Sequence, residues 1–228
     1  MIRLLVFDLD GTLIDSRLDL VHSVNAMLRY FGRPELPGDV IASYVGDGAP
    51  ALVQRALALD GVEGDAAFCR SALDYFLGYY RLHKLDHTTV YEGIPETLAG
   101  LARGSAARAD AEARSARVMA VLSNKPVNPS RAIVEALGMG DFFMRIYGGN
   151  SFATKKPDPL GARTLLEETG VAAEEALMIG DSSVDVQTGR NAGMWTCGVT
   201  YGFAPRSLED VEPDVVVDTA RELGEMLR

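Results

Sequence analysis

Three short apolar runs in this chain each end abruptly in residues able to carry out chemistry, and helical patterns separate them. Ile2 to Phe7 gives way to Asp8-Leu9-Asp10-Gly11-Thr12. Val118 to Leu122 runs into Ser123-Asn124-Lys125-Pro126, and Ala176 to Ile179 leads into Gly180-Asp181-Ser182-Ser183-Val184-Asp185. Strands alternating with helices imply parallel pairing, with helices covering both faces of the sheet. The expected fold is therefore α/β: a doubly wound, mostly parallel, Rossmann-like sheet that ends in a strand at Asp214 to Val217 and a short closing helix. Open sheets of this kind bind ligands beyond the carboxyl ends of their strands, which is where these polar residues fall.

The first of these ends is the most informative. Asp8 and Asp10 stand two residues apart, and strand alternation sends residues i and i+2 to the same side. Two like charges so close cost free energy unless a cation or a shared proton offsets them. The alternative is a solvated turn at Asp10-Gly11. Against it stand the later segments, which add a hydroxyl at Ser123, further acids at Asp181 and Asp185, and a lysine in Lys155-Lys156-Pro157-Asp158-Pro159, just before a helical stretch from Leu160 to Thr169. Together these groups suit a phosphoryl group held with one divalent cation.

Between Asp15 and about Thr89 the strand pattern disappears. Leu18, Leu20, Val21, Val24, Met27 and Leu28 recur at helical spacing, as do Ala51, Leu52, Arg55, Ala56 and Leu59, and then Phe68, Ala72, Phe76, Tyr79 and Tyr80. Pro34, Pro37, Pro50, Gly61 and Gly64 punctuate them. The expected organisation is a core formed by residues 1–14 and 89–228, with a helical insert at 15–88. Leu101 to Arg117 is rich in Ala and Arg, and reads as a solvated helix end or a disordered loop, with a basic docking patch as the alternative.

The four motifs, in order and spacing, resemble those of the haloacid dehalogenase-like superfamily, and the resemblance spans nearly the whole chain. It implies that the insert is a mobile cap and that Asp8 is a nucleophile forming an aspartyl-phosphate. Asp10 would be the general acid and base. A second aspartate at this position favours phosphate chemistry over carbon–halogen cleavage. The cofactor implied is Mg²⁺, a hard ion that takes oxygen ligands, held by the Asp8 carboxylate, the Asp10 backbone carbonyl and the Asp181 carboxylate. Asp185 would stand behind them, orienting Lys156 or a water on the ion; its other reading is an acid at the positive end of a helix. Ser123 and the Asn124 backbone N–H would bind the phosphoryl oxygens, and Lys156 would neutralise charge on the transferring group. The Lys-Pro-Asp-Pro pattern selects Lys156 over its neighbour Lys155. Gly11 and Thr12 would turn the chain towards the cap.

Tyr44-Val45-Gly46-Asp47-Gly48-Ala49-Pro50 superficially matches a nucleotide-binding glycine fingerprint, but helices surround it and no βαβ unit follows. Glycines feeding a helix amino terminus instead expose N–H groups suited to a small anion. This loop, with Tyr91-Glu92-Gly93-Ile94-Pro95-Glu96-Thr97-Leu98, resembles the phosphoglycolate phosphatases. That resemblance places the carboxylate of 2-phosphoglycolate on the Gly46 and Gly48 amides; a plain helix cap is the alternative. Competing activities are a pyrophosphatase, a sugar-phosphate phosphatase and, of another class, a non-catalytic switch that binds a phosphorylated ligand.

The chain has 228 residues and a formal net charge of -10, which argues against nucleic acid or an anionic membrane as partner. A small phosphorylated metabolite drawn in by local cations is the expected partner, and the sequence leaves the oligomeric state open. Cys69 and Cys197 are isolated, no apolar stretch approaches the roughly 20 residues that span a bilayer, and no signal peptide precedes the first strand, so a reduced, cytoplasmic protein is expected. The histidines, His22, His83 and His87, show no ligand spacing and read as surface or packing residues. Trp195, Tyr75, Phe76, Tyr79 and Tyr80 read as core or interface packing.

Overall fold

The computed structural model describes residues 1–58, 65–109 and 117–227. Leu59, Gly61 and Gly64, and residues 110–116 of the Ala/Arg-rich segment, lie outside them. By its contacts the chain divides into two units, one of Met1–Ile14 with Val90–Arg228 and one of Asp15–Thr89.

The first unit opens with β1 (Leu4–Phe7) and β2 (Ile14–Asp15), the latter reaching the second unit. The second unit follows with α1 (Arg17–Tyr30), α2 (Gly38–Ala42), α3 (Ala49–Ala58) and α4 (Ala66–His83), and β3 (Thr89–Val90) leads the chain out again. From there α5 (Ile94–Ala109), β4 (Val118–Leu122), α6 (Val127–Ala136) and β5 (Arg145–Tyr147) alternate. Next come α7 (Leu160–Thr169), β6 (Ala176–Gly180), α8 (Ser183–Ala192), β7 (Trp195–Val199), β8 (Val215–Val217) and α9 (Ala220–Met226).

Among the described residues the main sheet has the order β5-β4-β1-β6-β7-β8, and every neighbouring pair is parallel. From β1 the chain builds outward through β4 to β5, then returns to the other side of β1 at β6. That reversal puts the switch point between β1 and β6, where doubly wound sheets bind ligands. The register completes the placement. Phe7 lies opposite Val121 on one side and Ile179 on the other, so Asp8, Ser123 and Asp181 emerge within one residue of each other along the same sheet edge.

The central strands are continuous apolar runs because both faces are covered. All four residues of β1 and all five of β6 are buried. Leu4 and Val6 join Ala120, Leu122, Ala162, Leu165 and Met178 in one core cluster. Phe7, alternate to them, meets the Phe143 ring edge-on at 6.1 Å. Trp195 departs from the packing expected of it: half exposed at the start of β7, it donates its indole N–H to the Glu174 carbonyl at 3.0 Å.

In the second unit α1 packs against α4. Tyr30 stacks on Tyr75 with 4.2 Å between centroids, and Phe31 meets Phe68 edge-on at 5.1 Å. Asp65 caps α4 by accepting from the Ala67 and Phe68 amides, both at 3.0 Å. Phe76 and Tyr80 are buried, whereas Tyr75 and Tyr79 are half-buried. Among the described residues no helix is long and apolar enough to cross a membrane.

Candidate active site

At the carboxyl edge of the sheet, β1 and β6 deliver Asp8 and Asp181, and the first turn of α8 delivers Asp185. Their carboxylate oxygens lie within 4.8 Å of one another, and all three residues are buried. Gly180 permits this approach, since a Cβ there would overlap the Asp185 carboxylate. Gly11 does the same beside Asp181. It holds φ at 87°, where side chains are strained, and a Cβ would strike the Asp181 carboxylate.

Among the described residues, one cation is ion-paired with this cluster. Lys156, 4% exposed, places Nζ 2.9 Å from Asp8 Oδ1 and 2.5 Å from Asp185 Oδ1. Burial works against its charge, but the Asp185 and Asp8 carboxylates outweigh burial and hold its pKa above the usual lysine range. Asp185 also accepts at Oδ2 from the Ser182 hydroxyl at 2.6 Å and the Ser182 N–H at 3.2 Å. It therefore caps its helix and fixes Lys156 at once.

One ammonium does not balance three carboxylates. Burial raises the Asp8 pKa to about 6, and the nearby Asp185 adds to this while Lys156 opposes it. Burial likewise pushes Asp181 to about 8, assisted by Asp185 and Asp8, and opposed by the amides of Phe203 and Ala204, which donate to Oδ2 at 2.6 and 3.2 Å. Asp8 Oδ1 is buried and faces Lys156 Nζ at 2.9 Å. An all-oxygen donor set carrying surplus negative charge fits a hard divalent cation.

Asp10 stands apart from the three acids. Both its oxygens take Lys125 Nζ at 2.9 Å, and Lys125 is 6% exposed. This lysine was not singled out in the sequence. Its place after Ser123 marks it only as part of a strand-end motif; its pairing with Asp10 spans 115 residues of chain, which no local pattern encodes. Ser123 Oγ accepts from the Lys125 N–H at 3.3 Å, and its own proton engages no acceptor among the described residues. Asn124 Nδ2 donates to the Lys156 carbonyl at 3.1 Å, tying the loop after β4 to the lysine segment. Asp8, Asp10, Ser123, Asn124, Lys156, Asp181 and Asp185 all belong to the first unit.

Gly46 and Gly48 belong to the second unit, with φ of 127° and 84°. Gly48 directly precedes α3, and its carbonyl accepts the Leu52 N–H at 3.1 Å. Arg55, one turn further along α3, holds this loop by donating to the Tyr44 carbonyl at 2.9 Å and pairing with Asp47.

A family model described as haloacid dehalogenase-like hydrolase matches residues 5–199. A phosphoglycolate phosphatase of Pseudomonas putida is 37% identical over 97% of this chain and 78% of its own length. Another, of Chromobacterium violaceum, is 35% identical over 100% of this chain and 97% of its own. Among solved structures, one described as a predicted phosphoglycolate phosphatase from Haemophilus somnus superposes with a TM-score of 0.87 at 27% identity, covering 100% of this chain and 98% of that one.

Proposed function

We propose that this chain, which belongs to the haloacid dehalogenase-like hydrolase family, is a phosphomonoester phosphatase that converts 2-phosphoglycolate to glycolate and phosphate through Asp8. The observation that carries this reading is the convergence of Asp8, Ser123 and Asp181 on one sheet edge, set by the strand register, with Lys156 Nζ 2.9 Å from Asp8. The substrate is the one named for curated relatives that match nearly the full chain.

A carboxylate oxygen of Asp8 attacks phosphorus, the bond from phosphorus to the glycolate oxygen breaks, and Asp10 gives that oxygen a proton. Water then attacks the aspartyl-phosphate, Asp10 takes its proton, and the Asp8–phosphorus bond breaks to release phosphate. Splitting one slow hydrolysis into two displacements lowers each barrier. Lys156 keeps Asp8 in its nucleophilic, ionised form and faces charge developing on the phosphoryl oxygens. The Ser123 hydroxyl has its proton to donate to one of them. Lys125 positions the Asp10 carboxylate through its two contacts. Mg²⁺, held by Asp8, the Asp10 carbonyl and Asp181 with Asp185 behind them, would supply the positive charge that the three clustered carboxylates lack. The 15–89 unit acts as the cap, and the Gly46–Gly48 turn ahead of α3 offers amides to the substrate carboxylate.

The test is phosphate release with Mg²⁺, comparing kcat/KM for 2-phosphoglycolate, pyrophosphate, sugar phosphates and a nitrophenyl ester. A strong preference for 2-phosphoglycolate is expected. An even, weak profile would keep the Asp8 chemistry and remove the substrate assignment; no release from any ester would leave a phospho-ligand switch instead.

A further inference from the structure

A second group of metal-ligating side chains lies within the 15–89 unit. Sequence spacing gave His22 and His87 no common role, yet the fold brings them together with Asp19, their donor atoms within 4.8 Å of one another. Asp19 and His22 sit three residues apart on α1 and so share a helix face. His87 arrives from the segment between α4 and β3.

Asp19 makes that meeting reproducible. Only 1% exposed, its carboxylate accepts from the His87 N–H at 3.0 Å, and from the Thr88 N–H and hydroxyl at 2.9 and 2.7 Å. Those bonds fix the His87 backbone against α1 and set its ring edge-on to His22, with centroids 5.1 Å apart. Three of the contacts fall on Oδ2, counting a longer one from the His87 N–H at 3.2 Å, and one on Oδ1. Oδ1 therefore keeps a lone pair. Both imidazoles are exposed, and among the described residues their ring nitrogens take part in no hydrogen bond.

We propose that His22, His87 and Asp19 bind a borderline divalent transition ion of the zinc, nickel or copper class. Tetrahedral ligation sets donors about 3.3 Å apart around an ion bound at about 2.0–2.1 Å, and rotation of two exposed rings covers the difference from the observed spread. Imidazole nitrogens select such ions, whereas magnesium prefers oxygen and water. The donor set thus differs in kind from the all-carboxylate cluster of the other unit. A bound ion would cross-link α1 to the segment through which the chain leaves the 15–89 unit. It would also hold the Asp19–Thr88 contacts in place.

The test titrates Zn²⁺ by calorimetry into the full chain, in a Cys69→Ser background and in excess Mg²⁺ so that the acidic cluster is saturated. The expected result is one equivalent of zinc, with His22→Ala and His87→Ala each weakening binding more than about tenfold and His83→Ala leaving it unchanged. Both informative variants alter exposed side chains, and an unchanged melting temperature verifies their fold. Electron paramagnetic resonance of the Cu²⁺ complex should show coupling to two imidazole nitrogens, reduced to one in either variant. Zinc binding that survives both substitutions, or that is no stronger than to an unrelated surface histidine such as His83, would overturn the proposal.

Discussion

With Nζ 2.9 Å from Asp8 and 2.5 Å from Asp185, Lys156 answers two of three clustered acids, and its removal leaves them buried without a counter-charge. Breaking a buried pair in this way costs about 3–5 kcal/mol. Lys156→Met is therefore expected to lower unfolding free energy by that amount in urea titrations at pH 8. The loss should be smaller at pH 5, where Asp8 takes up a proton. Lys125 has a different task, orienting a proton-transfer group. Lys125→Met should lower kcat about tenfold to a hundredfold, part of the roughly hundredfold to ten-thousandfold that a general acid–base group contributes, and leave KM for the ester nearly unchanged. A KM effect alone would instead assign Lys125 to substrate binding. Asp8→Asn should abolish turnover while the melting transition persists; substantial residual activity would remove Asp8 as nucleophile. The roles of Asp8 and Lys156 could be posed from sequence, because each stands in a compact motif. The Lys125–Asp10 and His22–His87–Asp19 groupings could not, because their members meet across 115 and 68 residues of chain.

At the level of elements, the site depends on how closely loops pass over the strand ends. The turn after β1 runs against Asp181 through Gly11, whose φ of 87° and missing Cβ are both required. Gly11→Ala should therefore displace Asp181 and the turn together. Kinetics with saturating Mg²⁺ should show kcat/KM reduced more than about a hundredfold, consistent with the effect of misplacing a catalytic group by about 1 Å. A modest loss would show that the turn relaxes without moving Asp181. Strands β1, β4 and β6 were legible as apolar runs because burial on both faces leaves no polar alternation. The three residues of β5 were not, since Arg145 is exposed and so short a strand carries too little pattern. β7 was masked similarly, beginning on the exposed Trp195.

Across the whole molecule, a pH dependence follows from the buried acids. Asp8 and Asp181 have native pKa values raised from 3.8 to about 6 and about 8. A raised carboxyl pKa means that the native state binds more protons than the unfolded chain between those values, so stability falls as pH rises. Without a divalent ion the protein should melt at a lower temperature at pH 8 than at pH 5. Mg²⁺ should stabilise it more at pH 8, where the ion displaces fewer protons. Equal Mg²⁺ increments in calorimetric scans at both pH values would contradict this charge balance. By itself the sequence determined the parallel α/β core, the helical insert and the acids at strand ends, because these are written in local periodicity and in which residues break it. Only the tertiary structure decided which charges meet: Lys156 with Asp8 and Asp185, Lys125 with Asp10, and Asp19 with the backbone before β3. Such pairings depend on register, strand order and close backbone approach, which no local pattern encodes.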